Sequence, residues 1–164
     1  MPKPAPIRTL AAIFAALLVG IATLTLAGTS AATPSQPFSG SSIVTSYTPT
    51  SDRDAGGNVI EEADATLVAT GTFTGTFTGT VRSVNHADGT AVQHSNYTAT
   101  GTTPCGSGAF DIVVNGPFNS SGIQTGHFTT IDNSTNTAGI HADVDFVFDA
   151  STGVATFTGT YHCI

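Results

Sequence analysis

The sequence predicts an all-β fold of about eight short antiparallel strands, arranged as a small barrel or a β-sandwich. Three observations carry this. Apolar or β-branched residues alternate with polar ones at period two through most of the chain beyond residue 40. Turn signals recur at short intervals, at Asp54-Ala55-Gly56-Gly57-Asn58, Ala87-Asp88-Gly89, Asn115-Gly116-Pro117, Ser120-Ser121-Gly122 and Ala150-Ser151-Thr152-Gly153. The composition is rich in Thr and Gly, lacks Trp and is only 9% charged, which suits a β-rich exported domain better than a helical one.

Taken in order, the chain opens with Lys3 and Arg8 ahead of an apolar run from Leu10 to Leu26. Ser30-Ala31-Ala32 then fits a small-x-small cleavage rule. Residues 1–32 therefore read as a secretory signal peptide, and the expected location is extracellular. An uncleaved anchor is the alternative, for which an apolar run of about 17 residues sits at the short edge. Residues 33–40 are expected as a flexible tail and residues 41–164 as one barrel domain with one core.

Loss of Lys3 and Arg8 matters for charge. The full chain carries −7; without the leader, Arg53 and Arg82 face all eleven acids, a net charge of −9. Nucleic-acid affinity rests on Lys and Arg neutralising phosphates, so a nucleic-acid partner is excluded, as is an anionic membrane surface after cleavage.

The expected strands are 41–48, 60–73, 77–85, 90–100, 108–115, 125–131, 139–148 and 154–162, with residues 49–58 as a surface loop. The last hairpin has a register that burial should select. Pairing Phe148 with Ala155, Phe146 with Phe157, Val144 with Gly159, Ala142 with Tyr161 and Ile140 with Cys163 puts apolar or small residues on one face. His141, Asp143, Asp145 and His162 then lie on the other, and a slip of one residue would mix the two. The stretch GTFTGTFTGT at 71–80 shares the phase of its neighbours, with Phe and Gly at odd positions and Thr at even ones. A single strand over 62–81 would span about 66 Å, so the chain must bend or reverse near Gly71, Gly75 or Gly79.

Cys105 and Cys163 both fall in the exported part, where an intramolecular disulfide is expected over free thiols or an intermolecular bridge.

With these pieces in order, the chain resembles a family of bacterial proteins of unknown function grouped with the allene oxide cyclase barrel, which plant dirigent proteins share. The pieces are SGSSIVTSYTPT, ATGTFTGTFTG, ADGTA, YTATGTTPCGSGAFDIVVNGPF, TAGIH and FTGTYHC. The resemblance implies the eight-stranded barrel and carries no residue-level chemistry. The chain departs from the family at Asn133–Thr137, and in having a leader and two cysteines.

Two constellations are candidates for chemistry. His141, Asp143, Asp145 and His162 share a face and are of the right type to hold a divalent ion, although a solvated outer face has the same composition. Glu62 and Asp64 share a phase with Arg82, and paired carboxylates can act as acid and base when their environments differ. Ala63, Ala65, Leu67 and Phe73 occupy the opposite phase, so the interior is expected to be theirs. No catalytic, phosphate-loop or cofactor motif is present; no metal or other cofactor is expected, and the balance points away from an enzyme. The expected role is non-catalytic binding of a small apolar molecule in a lumen lined by Leu67, Phe73, Phe77, Phe146, Phe157 and Tyr161, or of a partner surface. A cyclase or isomerase of allene oxide cyclase type, using Glu62, Asp64 or Arg82 inside the lumen, is the alternative.

Overall fold

Side chains alternating at period two can bury one face of a sheet only if that face finds cover, and here the sheet covers itself. In a computed structural model, which describes residues 34–164, the strands are β1 (Gln36–Ala55), β2 (Asn58–Gly71), β3 (Thr74–Asn85), β4 (Ala91–Thr103), β5 (Gly106–Phe118), β6 (Ile123–Ile131), β7 (Ile140–Asp149) and β8 (Val154–Cys163). Each is antiparallel to the next and β8 returns to β1, so the sheet closes as a barrel in sequence order. Closure decides between barrel and sandwich, and it leaves few unpaired strand edges. No helix occurs among the described residues. The expected signal peptide at 1–32 lies outside them.

The β7–β8 hairpin has the expected register throughout, with Phe146 opposite Phe157 and His141 opposite His162. The Phe-Thr-Gly-Thr segment is a hairpin: β2 ends at Gly71, β3 begins at Thr74, and Phe77 pairs back to Leu67. The expected strand limits at 73 and 77 therefore move to 71 and 74. Gly71 has φ +124°, and a Cβ there would stand 2.5 Å from Gly40 Cα, so the reversal needs glycine. Gly75 and Gly101 face each other across β3 and β4. A Cβ on either would meet the Phe73 ring, at 2.8 and 2.9 Å. Gly75 and Gly101 thus form a flat bed for an aromatic side chain, while Gly71 makes the reversal.

β1 departs most from expectation. Gln36–Gly40 is strand rather than flexible tail, because it pairs with β8 and buries Phe38 edge-on to Phe128 and Tyr161. At the other end, residues 49–55 extend β1 along β2 instead of forming a loop. Two bulges interrupt this pairing, between Val44 and Ser46 and between Pro49 and Ser51. The extra residues are threonines, and each donates its hydroxyl to the carbonyl across the gap: Thr45 to Thr66 at 3.2 Å and Thr50 to Glu62 at 3.1 Å. A regular ladder would place Tyr47 opposite Asp64 on the outer face. The bulge at Thr45 returns it to Ala65, whose side chain points inward.

Candidate functional site

The two ends of the barrel differ. One is sealed. Phe73 and Phe110 pack edge to face at 5.3 Å over Ala99 and Ala69, all buried. The loop between β6 and β7 folds across the same end: Thr137 and Ala138 donate their backbone N–H groups to Ala109 O, and Ala138 and Ile140 are buried. Asp111 holds that loop from outside, accepting from Thr135 (2.7 Å), Thr98 (2.8 Å) and Asn133 (3.1 Å). These hydrogen bonds, Thr135 first, hold the Asp111 carboxyl below its ordinary value. The disulfide joins Cys105, in the β4–β5 turn, to Cys163 at the end of β8, so it ties strands that are not neighbours in the barrel across the sealed end.

Towards the other end the lumen is hollow. A chamber of about 100 Å³ lies among Leu67, Phe77, Phe128, Phe146 and Phe157. It widens past Val44, Tyr47, Gln93 and Phe148 into a vestibule of about 460 Å³, bounded by the turns at 86–90, 119–122 and 150–153. The chamber wall is almost wholly apolar, and an apolar cavity of about 150 Å³ is enough to take up one benzene ring. At about two thirds of that volume the chamber takes a short chain or part of a ring, and a whole ring reaches into the vestibule.

A few polar side chains punctuate this wall. Gln93, Ser95 and Tyr97 share the inner face of β4. Gln93 Nε2 donates to Ser95 Oγ at 2.7 Å. Burial pushes the Tyr97 phenol up, and the Ser95 side chain acts the other way. Gln124 Nε2 donates to Gly116 O at 3.2 Å. Tyr47, at the rim, donates to Glu61; burial, then that bond and the Glu61 charge, push its phenol well above the ordinary value. Ser42 Oγ, on β1, has no partner, and it is the only such buried side-chain polar atom among the described residues.

Of the residues expected in the lumen, Leu67, Phe77, Phe146 and Phe157 line the chamber. Phe73 lies in the sealed end, and Tyr161 packs against Phe38, so neither lines it. Glu62, Asp64 and Arg82 all point outward, and Glu62 and Arg82 pair at 3.8 Å with both side chains about half exposed. The His and Asp constellation is split. His141 and His162 stack at 4.9 Å, with His141 Nδ1 held by Asp132 at 3.1 Å. Asp143 and Asp145 instead flank His127, at 3.5 and 3.1 Å. No group of three or more His, Cys, Asp or Glu among the described residues is placed to hold a metal ion.

Sequence reasoning missed Ser42, Tyr47, Gln93 and Tyr97 on the lumen side. Ser42 does share its phase with Phe38 and Val44, and Tyr97 with Ala91 and Ala99, which was the available signal. Tyr47 had none, because the bulge that turns it inward leaves no mark in the alternation.

No protein-family model matches the chain, and no curated protein matches it. Among solved structures, it is similar to a protein of unknown function of the DUF3224 family from Shewanella oneidensis MR-1. The TM-score is 0.64 at 15% sequence identity, covering 80% of this chain and 99% of that one. At that identity the likeness is one of fold.

Proposed function

We propose that this protein is a secreted, non-catalytic barrel that binds a small apolar molecule in the open half of its lumen. The observation that carries the reading is the chamber: apolar, about 100 Å³, sealed at one end and opening at the other into a wider vestibule. The leader-like residues 1–32 and the Cys105–Cys163 bond support export to an oxidising compartment. The order of motif pieces along the chain supports an allene oxide cyclase-like barrel. The cyclase alternative needed Glu62, Asp64 or Arg82 in the lumen; all three are outside, so it is not pursued.

Titration with the neutral dye N-phenyl-1-naphthylamine tests the reading. We expect saturable 1:1 uptake with a blue-shifted emission, and its loss in Ala65→Leu, which fills the chamber wall beside Leu67. An unaltered dye spectrum at saturating protein would count against a lumen that binds.

A further inference from the structure

We infer that the molecule taken up is neutral and carries a carbonyl oxygen that accepts a hydrogen bond from Ser42 Oγ. This deepens the binding reading above and rests on it. Ser42 is 3% exposed and lines the chamber. Its cross-strand neighbours are Ala69 on β2 and Ala155 on β8, so no side chain beside it can accept or donate. A buried hydroxyl left without a partner is costly, and such groups in folded proteins ordinarily have one. Of the other polar side chains on the chamber wall, Tyr47 is engaged with Glu61, Gln93 with Ser95 and Gln124 with Gly116 O. Ser42 therefore offers an O–H donor inside an apolar chamber with nothing of the protein's own to receive it.

The charge of the molecule follows from what is missing around it. No Lys, Arg or His lines the chamber or the vestibule among the described residues, and the one charged side chain there is Glu61 at the rim. A carboxylate entering the chamber would shed its water with no cation to meet it, and would pass an anion on the way. A ketone loses far less on desolvation and recovers one hydrogen bond at Ser42. Fatty acids and other organic anions are thus disfavoured against neutral ring or short-chain ketones.

Calorimetric titration of the exported domain with toluene, acetophenone and benzoate, in wild type and Ser42→Ala, tests this. The expected result is that both toluene and acetophenone bind wild type and benzoate does not. Ser42→Ala should weaken acetophenone about tenfold, the scale of one hydrogen bond in an apolar site, and leave toluene unchanged or tighter. Comparing each ligand across the two proteins cancels their different hydration. The infrared carbonyl stretch of acetophenone bound to wild type gives a reading independent of any variant, and it should lie at a hydrogen-bonded frequency. Equal effects of Ser42→Ala on the two ligands, tight benzoate binding, or a carbonyl stretch at its free apolar value would each overturn the inference while leaving the binding lumen intact. Failure of all three compounds to bind would overturn both.

Discussion

Two tyrosines show how single residues register their surroundings. Tyr47 and Tyr97 both carry phenols raised above the ordinary value, chiefly by burial. A raised phenol contributes stability that is present below the unfolded pKa, near 10, and is lost as pH rises through the folded value. The melting temperature should thus decline above about pH 10. Tyr47→Phe should flatten most of that decline, because Tyr47 has the larger shift; an identical alkaline profile in the variant would contradict the Tyr47–Glu61 account. The outward facing of Glu62, Asp64 and Arg82 was legible from parity alone, since Ala63, Ala65 and Leu67 own the other phase. The inward polar residues were not, because a serine or tyrosine on the lumen side of an alternating strand looks like one on the solvent side.

Single elements differ in how far their sequence specifies them. The β7–β8 hairpin could be registered residue by residue, as its two faces differ sharply in polarity. β1 could not, since its bulges shift parity twice within seven residues and its outer half is exposed and paired only to β2. Thr45→Val would leave the Thr66 carbonyl without its donor and should lower stability by about 1 kcal/mol in chemical denaturation. No change would mean the hydroxyl does not support the bulge. The β6–β7 loop depends on Asp111, whose lowered carboxyl contributes above the ordinary carboxylate range and ceases to do so as pH falls through its depressed value. Protection of the amides of residues 133–138, relative to their intrinsic exchange rates, should therefore fall only under strongly acidic conditions in wild type. Asp111→Ala should show several-fold lower protection at neutral pH, and wild-type protection in that variant would remove Asp111 from the account.

At the scale of the whole barrel, the described residues form a cup with one end sealed by aromatic packing, a strapped loop and a covalent tie. The disulfide closes a segment 58 residues apart in sequence, worth on the order of 4 kcal/mol in the chain-entropy model. Replacing Cys105 and Cys163 together by Ser should lower the denaturation midpoint accordingly. It should spare ligand uptake, because the chamber lies in the open half; lost uptake in a variant that remains folded would show the halves to be coupled. The number of strands and the polarity of their faces were readable from alternation and turn spacing, whereas closure was not, because a sandwich has the same alternation. The hollow half was not, because whether Phe77, Phe146 and Phe157 meet or stand apart depends on barrel radius and ring rotamers, which period two does not encode.

The central claim is that this hollow half receives an apolar molecule. Its most direct measurement is a carbon-detected NMR titration of the barrel domain with toluene, observing methyl and aromatic resonances. The account predicts saturable shifts centred on Leu67, Phe77, Phe128, Phe146 and Phe157, with the sealed-end Phe110 and the exposed outer residues Val68 and Val147 unmoved. Shifts on the outer valines alone, or none at all, would contradict it.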